Sequence, residues 1–259
     1  LNCCNAEQSQ GLKLLHSFEL REEGGLGSDF NLSINGMSGN SIRYFIDGMP
    51  LDAKGSGVTL ANLPPNIIDR IEIYKGVVPA HLGTDALGGA VNIITNQQKK
   101  NFLDASYSIG SFHTHQFNVN GQYVTPKAGI IVKPTLSVNY SKNDYKVKNV
   151  EVWNEEKGKY VYEERKRFHD DYFSLLGQVE VGVTNKKWAD NFFVTASYSK
   201  TDKELQTGSI QTVVYGEARR KSDSKNFSAT YKKRNFFVDK LDVNALFSYT
   251  WDHSCTVDR

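Results

Sequence analysis

Few residues in this sequence have types and spacings that support chemistry. His113 and His115 are two positions apart, so on a strand they share a face and could bind a metal ion. A strand surface or rim is the simpler interpretation of this pair. Cys3, Cys4 and Cys255 form none of the Cys-x-x-Cys or Cys/His spacings of a zinc site. Because neither a carboxylate pair nor a Ser-His-Asp set is visible in the pattern, the sequence predicts no enzyme, no cofactor and no metal site.

A glycine-rich stretch, IEIYKGVVPAHLGTDALGGAVNIIT, alternates, turns and then alternates again. It is not a phosphate-binding loop, because Ala90 stands where a Walker A motif has its lysine. The earlier segment GGLGSD lacks the third glycine of a dinucleotide fingerprint. The glycines are instead expected to permit backbone conformations that a side chain would forbid. These candidate positions are Gly76, Gly83, Gly88 and Gly89.

The second part of the chain alternates with a period of two, which is typical of β-strands. In KLDVNALFSYTWD, for example, Phe247, Tyr249 and Trp251 fall on one face, and Ser248 and Thr250 on the other. A tilted strand needs roughly 9–11 such residues to cross a bilayer. A half-buried antiparallel sheet in water gives the same alternation, so both alternatives are open at this point. The candidate strands are NFLDASYSIG, HQFNVNGQYV, VKPTLSVNYS, FSLLGQVEVGVT, FFVTASYS, NFSATYKK and KLDVNALFSYTWD.

Loop lengths and aromatic residues favour the membrane alternative. Tight turns such as TPKAG, NKKWAD and RNFFVD alternate with two long connections, 142–171 and 201–224. Aromatic residues collect at both strand ends, with Tyr140 and Trp251 towards the long loops and Trp188 towards the tight turns. Short turns on one side, long loops on the other and two aromatic girdles are typical of outer-membrane barrels. The net charge of +2 gives no reason to expect a nucleic-acid partner.

Three segments that precede these strands resemble the plug domain of TonB-dependent outer-membrane receptors. They are SINGMSGNSIRYFIDGMP, LPPNIIDRIEIYKG and AHLGTDALGGAVNIIT, and they occur in the family's order. The resemblance implies a mixed α/β plug fragment followed by antiparallel transmembrane β-barrel strands, about seven of the roughly 22 in such a barrel. The implied organisation is an unassigned segment over 1–23, the C-terminal part of the plug over 24–98, and the first part of the barrel over 99–259.

The resemblance also implies roles for individual residues. Arg70 and Glu72 match positions where the family's plug meets charged residues of the barrel wall. Asp47 and Gly48 match the corner between two plug strands. Asn35 stands where the family usually has arginine, which weakens the match at the following loop. The residues expected on ligand-facing plug loops are Gly25, Ser28, Asp29, Ser38, Asn40, Asp52 and Lys54.

The function implied is energy-coupled uptake of a scarce, large nutrient across the outer membrane of a Gram-negative bacterium. Siderophore-bound iron, cobalamin, a glycan and a peptide all fit the sequence equally well. The expected partners are outer-membrane lipid, the extracellular nutrient and a periplasmic TonB-type coupling protein, whose contact motif is not recognisable in this chain. The alternative from another class is a soluble or surface-attached β-rich binding or structural protein.

Overall fold

The computed structural model consists mainly of β-strand, which makes up 66% of the residues that it describes. It describes residues 18–258 except for 23, 29, 35, 56–57, 61–62, 80–81, 83–87, 96–99, 127, 208–212 and 238–240. Gly83 and Asp29, both predicted site residues, lie outside the described residues.

The first part of the chain forms two small sheets. Strands β1, β2 and β3 pair antiparallel, and β1 lies in the segment that the sequence left unassigned. A second sheet has the order β5-β4-β7-β6, in which β4 and β7 run parallel. The strand bounds are β1 Phe18–Glu22, β2 Phe30–Ile34, β3 Met37–Ser38, β4 Ile42–Ile46, β5 Met49–Pro50, β6 Ile68–Lys75 and β7 Gly89–Thr95.

Helical structure differs from the mixed α/β expectation. The described helical segments are single 3-10 turns at Gly39–Ser41, Leu51–Lys54 and Pro65–Ile67. The last of these lies in the segment LPPNIIDRIEIYKG and is followed directly by β6, which begins at Ile68. Within the part of the chain that the structure describes, no helix has the length and apolar character needed to cross a membrane.

The predicted strands of the second part form one antiparallel, seven-stranded sheet with the order β16-β15-β14-β13-β10-β9-β8. All seven predicted segments are strands in this sheet, and several run longer than the alternation suggested. The strand bounds are β8 Phe102–Gly110, β9 Thr114–Val124, β10 Ile130–Ser141, β13 Tyr172–Thr184, β14 Asn191–Glu204, β15 Arg219–Lys233 and β16 Val243–Val257.

The two long connections were expected to be loops, but both contain β-strand. Within 142–171, strands β11 (Lys146–Asn154) and β12 (Lys159–Lys166) form a separate hairpin. Within 201–224, both ends belong to the large sheet, since Glu204 pairs with Arg219. The charged residues there extend β14 and β15 beyond the point where apolar alternation ends.

The large sheet has a polar face and an apolar face. On the polar face, Ser137, Ser174 and Ser228 are each 1% exposed. On the opposite face, Phe247 is 57% exposed and Trp251 is 62% exposed. This is the reverse of the arrangement in a water-soluble protein, whose buried face is apolar.

The small sheets lie against the polar face. The apolar core of the first part includes Ile46, Leu51 and Ile93, and Leu176 of β13 packs into it. A second cluster of Leu32, Ile34, Ile42 and Val91 joins β2 to the β4–β7 pair. The first part is therefore seated on the sheet by both apolar and polar contacts.

Candidate functional site

The corner between β4 and β5 is fixed by hydrogen bonds to β7. The Thr95 backbone N–H and hydroxyl donate to the two carboxylate oxygens of Asp47, at 2.9 and 2.6 Å. The Gly48 N–H donates to Asn92 Oδ1 at 3.0 Å. Asp47 and Gly48 have φ values of 52° and 83°, a region that aspartate tolerates and glycine favours. The corner thus ties two distant parts of the sequence together.

Gly89 is the predicted glycine with the clearest structural reason. Its φ is 137°, and a Cβ at this position would collide with the carbonyl oxygen of Tyr74 on the neighbouring strand. Gly76 ends β6 with a φ of 79°. Gly88 donates from its N–H to the Ser41 carbonyl at 2.8 Å. These contacts position the entry into β7.

Arg70 and Glu72 contact each other on β6. Arg70 Nε donates to Glu72 Oε1 at 2.9 Å, and Glu72 Oε2 accepts from the Tyr74 hydroxyl at 2.9 Å and from Asn92 Nδ2 at 3.3 Å. The Tyr74 hydrogen bond is the largest influence that lowers the pKa of Glu72, and Arg70 adds to it. These partners all belong to the small sheets, so the predicted contact with the barrel wall stays a prediction.

The candidate ligand-facing residues occupy different environments. Ser38, at the end of β3, and Asn40, in the 3-10 turn that follows, are both exposed. Asp52 is exposed as well, and it pairs with Arg43 at 3.0 Å. Gly25 and Ser28 belong to the turn 24–28, which packs against Asn143 and other residues of the 142–171 connection.

Lys54, predicted on a ligand-facing loop, is buried. Its side chain is only 8% exposed, and burial lowers its pKa, while the charges of Glu180 and Asp47 act in the opposite direction. Glu180 lies on β13 of the large sheet and pairs with Lys133 at 3.0 Å. The 3-10 turn that ends at Lys54 therefore faces the sheet.

The carbonyl oxygen of Ala53, in the same turn, is the main polar contact between the two parts. It accepts hydrogen bonds from Asn226 Nδ2 at 2.8 Å, Ser248 Oγ at 2.8 Å and Thr250 Oγ1 at 2.9 Å. A Cβ on the neighbouring Gly55 would collide with the Ser224 hydroxyl. Small polar side chains on the inner face are what allow the backbone to approach this closely.

A second polar contact joins the turn 24–28 to the end of β10. Asn143, which is 2% exposed, donates from Nδ2 to the Leu26 carbonyl at 2.9 Å. Gly27 packs so closely on the Tyr172 ring that a Cβ would collide with it. Sequence reasoning missed Asn143 and Asn226. The sequence did offer a signal for both: Asn226 lies on the polar face of an alternating strand, and Asn143 lies two residues beyond the end of another.

The histidine pair does not converge on one site. His115 Nδ1 lies 2.8 Å from the Tyr107 hydroxyl, and His113 Nδ1 lies 3.6 Å from Asp144. No group of three or more His, Cys, Asp and Glu side chains suited to a metal ion occurs among the residues that the structure places.

Fold and contacts together define a small plug-like domain seated on the polar face of an antiparallel sheet. Residues 9–90 match the family model of the TonB-dependent Receptor Plug Domain. This match confirms the resemblance found in the sequence, and the chain is a relative of the TonB-dependent receptors. The match begins inside the segment 1–23.

A curated relative supports the same relationship. Over 88 residues, the chain is 31% identical to the vitamin B12 transporter BtuB of Vibrio vulnificus (strain CMCP6). This alignment covers 34% of the chain and 14% of that transporter. The chain thus spans only a small part of the curated relative it matches.

Solved structures share the fold at low sequence identity. The copper transporter OprC aligns with a TM-score of 0.64 and 15% identity, over 93% of this chain and 33% of its own. The FrpB iron transporter from Neisseria meningitidis (F3-3 variant) aligns with a TM-score of 0.63 and 18% identity, over 95% of this chain and 38% of the transporter. The ferric enterobactin receptor PfeA, solved in complex with BCV-L6, aligns with a TM-score of 0.64 and 14% identity, over 96% of this chain and 38% of the receptor.

Proposed function

We propose that this chain is part of a TonB-dependent receptor that imports a scarce, large nutrient across the outer membrane of a Gram-negative bacterium. The first part is the plug, and the large sheet is part of the barrel wall that surrounds it. A periplasmic TonB-type protein supplies the energy for transport. In this role the chain catalyses no reaction and carries no resident cofactor.

The observation that carries this proposal is the reversed polarity of the large sheet. Its outward side chains include Leu103, Val179 and Phe227, which are 77%, 47% and 46% exposed. Burying one large apolar side chain is worth about 1.5–3 kcal/mol, so a row of them exposed to water would be costly. Contact with lipid removes that cost, while the polar inner face is covered by the plug.

The extent of the chain relative to its solved neighbours supports a larger barrel. Strands β8 and β16 form the two edges of the sheet. An edge that faces lipid leaves backbone groups unpaired, at several kcal/mol for each group. We therefore assign the sheet to a closed barrel that includes further strands of a longer protein.

The nutrient is expected to meet the exposed plug residues Ser38, Asn40 and Asp52 on one side of the lumen. The related proteins are named as transporters of vitamin B12, copper and iron and as a receptor for ferric enterobactin. Siderophore-bound iron, cobalamin, a glycan and a peptide remain the candidate classes, since Asp52 is the one charged group among these three residues and it pairs with Arg43.

The full-length protein provides the test. Outer-membrane barrels in detergent migrate differently on gels before and after boiling, and a soluble β-rich binding protein should not need detergent. We expect heat-dependent mobility and loss of uptake when the gene is deleted, measured with cobalamin, ferric enterobactin and ferric pyoverdine as probes. A detergent-independent protein with unchanged mobility would favour the soluble alternative.

A further inference from the structure

The plug turn 24–28 is attached to both ends of the 142–171 connection through one side chain. Asn143 Nδ2 donates to the Leu26 carbonyl at 2.9 Å and to the Asp170 carbonyl at 3.0 Å. Since both neighbours are carbonyl oxygens, only the NH2 group of the amide can face them. A single buried amide therefore joins the plug to the start and the end of the hairpin segment.

The orientation of Asn143 is fixed from its other side. Ser141 Oγ donates to Asn143 Oδ1 at 2.9 Å, and the Thr114 hydroxyl lies 2.8 Å from the same Ser141 hydroxyl. The Asn143 backbone has a φ of 49°, which asparagine adopts more readily than most residues. Both Oδ1 and Nδ2 of Asn143 therefore have hydrogen-bond partners.

The plug turn also fits Asn143 sterically. A Cβ on Gly25 would collide with Asn143 Oδ1 and approach the Tyr145 ring to 3.2 Å. The φ of Gly25 is not positive, so its backbone is open to residues other than glycine. An alanine there would therefore push on Asn143 without straining its own backbone.

The far end of the hairpin segment is held to the large sheet. The Asp170 carboxylate, whose residue is 4% exposed, pairs with Arg167 at 2.7 Å and with Lys203 of β14 at 2.8 Å. Such a buried carboxylate needs both partners to offset its desolvation. Plug turn, hairpin base and sheet end therefore form one continuous buried contact.

We propose that Asn143 is a positioning residue that couples the hairpin β11–β12 to the plug turn 24–28. The proposal rests on the proposed function, in which the hairpin lies outside the membrane and the plug inside the barrel. A nutrient that displaces the hairpin then shifts the plug turn through Asn143. The coupling works in both directions, because coupling free energies between two sites are reciprocal.

Hydrogen exchange of the full-length receptor in detergent, with no ligand added, tests this coupling. Two amides report it: Ser28, which donates to the Gly25 carbonyl at 3.1 Å, and Arg167, which donates to the Tyr145 carbonyl at 2.9 Å. Asn143→Asp removes the donors, so exchange at both amides should rise about tenfold, as expected for loss of one or two buried hydrogen bonds. The matched control is Asn149→Asp, which makes the same charge change at an exposed hairpin residue with a φ of 57°. It should leave both amides unchanged.

Gly25→Ala perturbs the same contact from the plug side, because the added Cβ would collide with Asn143. It should increase exchange at Arg167 in the hairpin as well as at Ser28, with the exchange of β13 and β14 unchanged. A response confined to Ser28 in Gly25→Ala, or to Arg167 in Asn143→Asp, would overturn the coupling. Heat-dependent gel mobility of each variant reports the barrel separately, so failure of the proposed function would be seen independently.

Discussion

The carbonyl oxygen of Ala53 lies 2.8 Å from Ser248 Oγ, although the two residues are 195 positions apart in the sequence. Two more donors, Asn226 and Thr250, reach the same oxygen. A plug held in this way depends on a few directional hydrogen bonds to the wall as well as on the apolar contact at Leu176. Such contacts can be weakened one at a time, which makes the seating of the plug accessible to experiment.

Loss of one donor to Ala53 should loosen the plug. We expect Thr250→Val to lower the free energy of plug docking by about 0.5–1.5 kcal/mol, the net contribution of one hydrogen bond, because the Ala53 carbonyl keeps its other two donors. Urea-dependent protease cleavage of the plug in the folded receptor would measure this change. Thr256→Val, on the exposed end of the same strand face, is the matched control and should have little effect. Equal cleavage of both variants would argue against a role for the Ala53 contact.

Lys54 should make plug docking depend on pH. Burial lowers its pKa in the docked plug from 10.5, so the undocked state binds more protons over a range below pH 10.5. Docking stability should therefore increase as pH rises towards 10.5. Lys54→Met should remove this component, whereas Lys159→Met, at an exposed hairpin position, should retain it. Protease protection measured at several pH values would detect the difference, and identical profiles for wild type and Lys54→Met would refute it.

Glu72 should make the edge of the plug sheet sensitive to acid. Its pKa lies below 4.5 in the folded plug, chiefly because the Tyr74 hydroxyl donates to it. The carboxylate therefore contributes stability above pH 4.5 that is lost as the pH falls through its lowered pKa. The protection factors of β6 amides, which correct for the intrinsic pH dependence of exchange, should fall in acid in the wild type, and Glu72→Gln should show a smaller change. The Glu72 side chain is only partly buried, which makes the effect small. The interpretation fails if the variant keeps the full acid response.

The outward face of the sheet should reject charge. Val179 lies near the middle of β13 and is 47% exposed, while the adjacent Gln178 points towards the plug side. Val179→Arg should reduce membrane insertion by about 2–4 kcal/mol, as for an arginine at the bilayer midplane. Gln178→Arg should insert better, although it crowds the lumen. Heat-modifiable receptor in outer-membrane fractions is the readout, and equal insertion would mean that this face does not meet lipid.

The hairpin and the tight turns should lie on opposite sides of the membrane. Glu156 is at the exposed tip between β11 and β12, and Lys187 is exposed in the turn between β13 and β14. A membrane-impermeant thiol reagent on intact cells should label Glu156→Cys and spare Lys187→Cys. Both should be labelled after the cells are broken. The reverse pattern would invert the topology.

The strand pattern could be predicted from the sequence because it is a local property. Successive side chains point to opposite faces, so Phe247 and Ser248 are assigned to different environments by their order alone. The Asp47–Gly48 corner and Gly89 could likewise be found from residue type, because few residues tolerate their backbone conformations. The family resemblance rests on the same short-range signals.

The tertiary structure decided which surfaces meet. Lys54 was predicted on a ligand-facing plug loop, and its burial against the large sheet could not be predicted, since a short polar stretch does not show which side of its turn another element covers. The contact at Ala53 uses a backbone carbonyl, which is chemically the same in every residue and leaves no mark in the sequence. Asn143 resembles any polar residue after a strand until Leu26 and Asp170 are brought to its amide across 117 and 27 positions. Contacts between distant residues depend on the relative placement of whole sheets, and that placement is fixed only when the packed faces exclude water together.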